Sequence, residues 1–280
     1  MNRTLITGNV AAAWGVRLAA VDYIPAFPIT PQTEIIETLA EWIQIHCATC
    51  QEVLDSILIA YRLCEDPHVR LPVIVNQDGF YLSFTREPVA IPDANAAAAF
   101  LPPFTTGAPA FRGGQSISQG VAVLGGTPNS YFRYQAHLAL QESLTVYDRI
   151  ALEFEQAFGR HWPAIDAYRT DDAEVFFMIG AFATKAKDAV DRLREEGWRI
   201  GLLRPRLIRP FPEAQLRRLL FGVHAVIVVD QNLSMGKGGV FHSELASALV
   251  GQPNMPMLVP LIRSTTWSVP SRCSSMPPVA

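Results

Sequence analysis

Apolar residues spaced one helical turn apart predict two helices in the first hundred residues of the chain. The first helix covers 9–20 and the second covers 51–65. Short apolar runs at 21–24 and 71–75 predict two strands. Two strands are fewer than the roughly five or six that a typical sheet contains. We therefore expect residues 1–100 to form a truncated α/β domain.

Strands and helices alternate more regularly toward the end of the chain, over residues 172–262. The predicted elements are strands at 174–179, 200–203 and 225–229, and helices at 186–193, 216–220 and 241–250. Such alternation is typical of a parallel sheet with helices on its faces. The fold class predicted for the whole chain is therefore α/β.

Prolines and glycines accumulate between these two regions, over 87–126, and predict an extended crossover because proline continues neither a helix nor a central strand. A long helix is predicted after it, over 131–159. Residues 101–171 thus form a crossover and a long helix in this prediction. Residues 263–280 show no helical or strand period, and we expect them to form a disordered tail.

Composition excludes several classes of protein. Hydrophobic residues make up 49% of the chain and charged residues 18%, which excludes wholesale disorder. The net charge is −3 and no basic run is present, so a nucleic-acid-binding role is not expected. No apolar run reaches the roughly 18 residues that span a membrane, and the start MNRTLITGN makes a poor secretory signal. We expect a cytoplasmic protein that binds neither nucleic acid nor membrane.

Cysteine and histidine spacing gives little support to a metal site. The four cysteines, Cys47, Cys50, Cys64 and Cys273, lack ferredoxin-type spacing, and no histidine pair has ligand spacing. The Cys47-x-x-Cys50 pair could be a redox or metal pair, but an incidental pair is favoured because no second pair accompanies it. Cys64 follows the apolar face of the 51–65 helix and is predicted to lie in the core.

Two further clusters leave a functional and a structural interpretation open. The turn Gly236-Lys237-Gly238-Gly239 could hold a phosphate at a helix amino terminus, but it lacks P-loop spacing, so a tight turn is favoured. Three arginines at 204, 206 and 209 could face an anionic ligand or a partner chain. Solvated or interchain ion pairs are the default interpretation.

Several short motifs follow one another in a fixed order along the chain. They are Gly8-Asn9, Pro28-Ile29-Thr30-Pro31-Gln32-Thr33, QEVLDSILIAY at 51–61, FLPP at 100–103, FRYQ at 132–135, FGRHW at 158–162, RLIRPFP at 206–212 and DQNLSMGKGG at 230–239. In this order they resemble the alpha chain of the pyruvate:ferredoxin oxidoreductases, within the thiamine-diphosphate-dependent 2-oxoacid:ferredoxin oxidoreductase family. The resemblance covers about residues 5–262.

This resemblance implies a fold and a reaction. The fold is a truncated thiamine-pyrimidine-binding domain followed by a transketolase-C-terminal-like parallel α/β domain. The reaction converts pyruvate, coenzyme A and oxidised ferredoxin to acetyl-CoA, CO₂ and reduced ferredoxin, or the reverse. Thiamine diphosphate is shared with a beta chain, while Mg²⁺ and iron–sulfur clusters belong to partner chains. The implied partners are the beta, gamma and delta subunits and ferredoxin.

The resemblance also assigns two site residues. Pro28 is expected beside the cofactor, and the Thr30 hydroxyl is expected to donate to the carboxylate or carbonyl oxygen of the substrate. A hydroxyl orients such a group without adding charge to the site. Without the surrounding motifs, the same segment would be interpreted as a proline-stiffened turn from a strand into a helix.

The chain departs from the family pattern at one point. In the family, the helix after the PITPQT motif leads to a strand that ends in a carboxylate-bearing motif, whose carboxylate hydrogen-bonds the aminopyrimidine ring. Here a segment on the order of a hundred residues is missing near Trp42–Gln44. Nearby carboxylates, namely Glu34, Glu37, Glu41 and Glu52, are not expected to replace it. The sequence after Ile262 also departs from the glycine-rich run that would continue in the family.

Three hypotheses for function stay open at this point. The chain is an alpha subunit that acts on pyruvate, or one that acts on another 2-oxoacid, or a non-catalytic remnant or assembly subunit. A sequencing or gene-model artefact would also account for the missing segment and the unusual tail.

Overall fold

The structure is a computed structural model, and it describes residues 3–19, 43–79, 81–105, 114, 126–180, 183–231 and 233–262. The chain divides into two compact units. The first unit contains 1–166, 181–184 and 205–212, and the second contains 167–180, 185–204 and 213–280. The predicted boundaries after residues 100, 171 and 262 stay predictions. No helix among the described residues is long and apolar enough to cross a membrane.

The first unit contains most of the chain's amino-terminal elements. They are β1 (Arg3–Thr7), α1 (Gly8–Leu18), β2 (Ile43–His46), α2 (Cys50–Cys64), β3 (Val73–Asn76), α3 (Tyr81–Phe84), β4 (Arg86–Ala90), α4 (Ala94–Phe100), α5 (Gly126–Phe158) and β8 (Leu207–Arg209). In one sheet β2 lies between β3, which is parallel to it, and β8, which is antiparallel. A separate antiparallel ribbon joins β1 to β4.

Both predicted helices of the first hundred residues are present, with different ends. Thr7 caps α1, because its hydroxyl accepts the N–H of Val10, and α1 begins at Gly8 and ends at Leu18. Thr49 caps α2 through the N–H of Glu52. The two helices approach closely at Gly15, where an added Cβ would lie 2.8 Å from the Cβ of Ile57.

The core of the first unit lies between α2, α5 and the β2 sheet. Ile43 and Ile45 point their side chains into it from alternate positions of β2, and both are fully buried. Edge-to-face contact between Phe100 and Phe154, at 5.3 Å between ring centroids, joins α4 to α5. The predicted long helix is confirmed, and it begins at Gly126, five residues before the predicted start.

The prediction of an extended crossover at 87–126 is wrong in its first part. β4 includes Glu87 and Pro88, and α4 follows at Ala94–Phe100. Among the described residues β4 pairs with β1 alone, in a two-stranded ribbon, and proline is tolerated in such edge strands. The predicted strand at 21–24 lies outside the described residues. The sequence analysis missed β1, β2 and β4, which are four or five residues long.

The second unit confirms the predicted parallel α/β architecture. Its elements are β5 (Ile165–Tyr168), which begins in the first unit, β6 (Val175–Ile179), α6 (Ala183–Glu195), β7 (Ile200–Pro205), α7 (Glu213–Leu219), β9 (Ala225–Asp230), β10 (Leu233–Ser234), β11 (Gly238–Gly239), α8 (Val240–Leu249) and β12 (Met257–Ile262). The sheet order is β12-β9-β6-β7-β5, and the pairs of β6 with β7, β6 with β9 and β9 with β12 are parallel. Two of its strands, β5 and β12, were not predicted.

Candidate functional site

The two residues predicted to contact cofactor and substrate, Pro28 and Thr30, lie outside the described residues. The same holds for Glu34, Glu37 and Glu41. The structure describes the elements that flank this segment, α1 before it and β2 after it. The described part of the candidate site consists of the carboxyl ends of β2 and β3 and the helix that follows β2.

Polar side chains meet at the carboxyl ends of the parallel strands β2 and β3. The Nε2 atom of His46 lies 3.1 Å from the Nδ2 atom of Asn76. The N–H of Cys47 donates to the carbonyl oxygen of Asn76 at 2.9 Å. Asp78 follows two residues later; burial raises the pKa of its carboxyl, and the N–H of Tyr81 acts in the opposite direction. In open α/β sheets, ligands bind beyond this end of the strands.

A buried ion pair begins on the first turn of α2. The Nε and Nη2 atoms of Arg206 donate to Oε1 of Glu52 at 3.0 and 2.6 Å, and both side chains are almost fully buried. The other oxygen of Glu52 accepts the N–H of Ala48. Burial lowers the pKa of the Arg206 guanidinium, but Glu52, Tyr147 and Asp166 together hold that pKa above its ordinary value.

Arg206 also binds the segment that follows α5. Its Nη1 atom donates to the carbonyl oxygen of Pro163, and its guanidinium lies 5.2 Å from the ring centroid of Trp162. The hydroxyl of Tyr147 donates to the carbonyl oxygen of Trp162 at 3.1 Å. The default interpretation of this arginine as a solvated or interchain ion pair is therefore wrong, because its partner is a buried carboxylate of the same unit.

A second buried carboxylate lies one turn further along α2. Asp55 accepts from Nε and Nη2 of Arg160 at 2.6 and 2.8 Å, from Nε1 of Trp162 at 3.0 Å and from Nε2 of Gln51 at 3.1 Å. Burial raises the pKa of the Asp55 carboxyl, and these donors act in the opposite direction. Both carboxylates of α2 thus hold the 160–163 segment and β8 in place, and neither is free to act as a base.

Two cysteines of the first unit, Cys50 and Cys64, have surroundings that disfavour the thiolate. Cys47 and Cys50 are buried. Burial, together with the negative charge of Glu87, raises the pKa of the Cys50 thiol to about 11. Burial also raises the pKa of the Cys64 thiol to about 11, and its Sγ lies 3.4 Å from the carbonyl oxygen of Tyr61. Thiols with such pKa values are poor nucleophiles at neutral pH. Among the described residues, no group of three or more potential ligands could hold a metal ion.

The glycine-rich turn of the second unit forms a short hairpin, in which β10 pairs with β11 ahead of α8. The carboxylate of Asp230 accepts the N–H groups of Phe241 and His242 at 2.8 and 3.0 Å, at the first turn of α8. A bound phosphate would use these same donors. Because a buried carboxylate already occupies them, the tight-turn interpretation of this motif is the one the structure supports.

Gly239→Ala should lower the free energy of unfolding by about 1–3 kcal/mol, as overpacking typically does. The added Cβ would lie 2.0 Å from Oδ2 of Asp230, which is held by two backbone N–H groups. Thermal unfolding followed by circular dichroism measures the change. Gly79→Ala is the control, because open space surrounds Gly79. Equal losses in the two variants would contradict the close approach at Asp230.

Comparison with known proteins gives matches over most of the chain. Residues 40–144 match the family model described as pyruvate flavodoxin/ferredoxin oxidoreductase, thiamine diphosphate-binding. Residues 173–264 match the model described as pyruvate:ferredoxin oxidoreductase core domain II. Pyruvate synthase subunit PorA of Pyrococcus abyssi is 35% identical over 224 residues, which are 79% of this chain and 56% of that protein.

Further relatives extend the comparison. PorA of Thermotoga maritima is 35% identical over 238 residues, 82% of this chain and 60% of the relative. The alpha subunit of NADH-dependent phenylglyoxylate dehydrogenase of Aromatoleum evansii is 33% identical over 213 residues, 69% of this chain and 48% of the relative. The chain thus spans only about half to three fifths of the length of these relatives.

A solved structure shows the same fold at low identity. The 2-oxoglutarate:ferredoxin oxidoreductase of Magnetococcus marinus aligns with a TM-score of 0.63 over 94% of this chain and 62% of that chain, at 13% identity.

Proposed function

The chain belongs to the pyruvate:ferredoxin oxidoreductase family, and we propose that it takes the place of the alpha subunit in a multi-subunit enzyme of this kind. The enzyme converts pyruvate, coenzyme A and oxidised ferredoxin to acetyl-CoA, CO₂ and reduced ferredoxin, or the reverse. The observation that carries the proposal is that both family models match this one chain, one over residues 40–144 and the other over 173–264.

The proposed partners are beta, gamma and delta subunits and ferredoxin, and the proposed compartment is the cytoplasm. Mg²⁺ and the iron–sulfur clusters would lie on the partner chains. Thiamine diphosphate would be shared with the beta chain. When bound, it supplies carbanion stabilisation for the decarboxylation of a 2-oxoacid.

Pro28 and Thr30 are the proposed contacts to the cofactor and the substrate, and both lie outside the described residues. The carboxylate that should hydrogen-bond the aminopyrimidine ring is not supplied by α2, because Glu52 and Asp55 are fully engaged by Arg206, Arg160 and Trp162. This engagement favours a second candidate function, a non-catalytic or assembly subunit of the same complex. The phenylglyoxylate relative favours an aromatic 2-oxoacid as an alternative substrate.

Thr30→Val should weaken pyruvate binding by about 10- to 100-fold, since a hydrogen bond to a charged group contributes about 1.5–3 kcal/mol. The complex is assembled by co-expression with the beta, gamma and delta chains, and isothermal titration calorimetry with pyruvate measures the affinity. Failure of the wild-type chain to co-purify with those chains would contradict the proposed function itself.

Thr30→Ser is the matched control for this measurement, because it keeps the hydroxyl and removes only the methyl group. Its affinity for pyruvate should stay close to that of the wild type. If the valine and serine variants bind pyruvate equally well, Thr30 is not the substrate contact.

A further inference from the structure

We draw no further inference here: the strongest candidate, the apolar pocket of about 310 Å³ that Ile57, Tyr61 and Cys64 of α2 line together with Val73 and Val75 of β3, carries none, because nothing in the structure shows what covers it.

Discussion

Arg206→Ala should lower the free energy of unfolding of the chain by about 3–5 kcal/mol, the usual effect of removing one partner from a buried ion pair. The guanidinium of Arg206 donates twice to Glu52 and once to the carbonyl oxygen of Pro163. Its loss would leave the carboxylate of Glu52 buried without a counter-charge. It would also release the 163 segment from α2. Equilibrium urea unfolding followed by circular dichroism measures the change.

Two controls separate the buried pair from a general effect of arginine removal. Arg62→Ala breaks a partly exposed pair with Glu153 at 3.4 Å, and we expect it to cost less than about 1 kcal/mol. The double variant Glu52→Gln/Arg206→Ala should recover part of the stability lost in Arg206→Ala, because no charge then remains buried. A loss in Arg206→Ala no larger than in Arg62→Ala would contradict the importance of this pair.

Pyruvate-dependent ferredoxin reduction by the proposed complex should be about 10²–10⁴ times slower with this chain than with a full-length alpha chain of the family, the usual effect of losing a positioned proton-transfer group. The resemblance implies that the carboxylate expected to assist the aminopyrimidine belongs to a segment that we expect to be missing near Trp42–Gln44. The structure adds that Glu52 and Asp55 are engaged by arginines and a tryptophan. Neither can take over that role without breaking a buried ion pair.

Reconstitution with the beta, gamma and delta chains and a viologen-reduction assay tests this prediction. The positive control is a full-length alpha chain of the family, assembled with the same partners. Thiamine diphosphate binding is measured in both complexes, so that slow turnover is not confused with an empty site. The predicted loss of turnover is about 10²–10⁴-fold. If the turnover is instead within about threefold of the control, another residue supplies the missing acid.

The sequence was sufficient for the elements whose signal is local. The helix α2 was predicted because apolar residues recur along it at helical spacing. The strands β6, β7 and β9 were predicted because each is a short apolar run between turn residues. It also predicted correctly that the glycine-rich turn at 236–239 is structural, since the motif lacks P-loop spacing.

The strands that were not predicted form through pairing with distant parts of the chain, which local sequence patterns do not reveal. β2 has only four residues, and its pattern of two buried and two half-buried positions depends on pairing with β3 and β8, more than 25 residues away in sequence. β4 contains a proline and was therefore interpreted as crossover, yet its pairing with β1 leaves that proline on an open edge. β12 also contains a proline, Pro260, at the outer edge of its sheet.

The sequence by itself determined the fold class, the order of the main elements and the family, because hydrophobic period and short motifs are properties of neighbouring residues. Only the tertiary structure decided what the buried charges do. Glu52 and Arg206 are 154 residues apart and Asp55 and Arg160 are 105 apart, and each pair meets in the core at hydrogen-bond distance. No spacing rule connects residues at such separations, and the free energy of a charge depends on the burial and partners that the folded chain gives it.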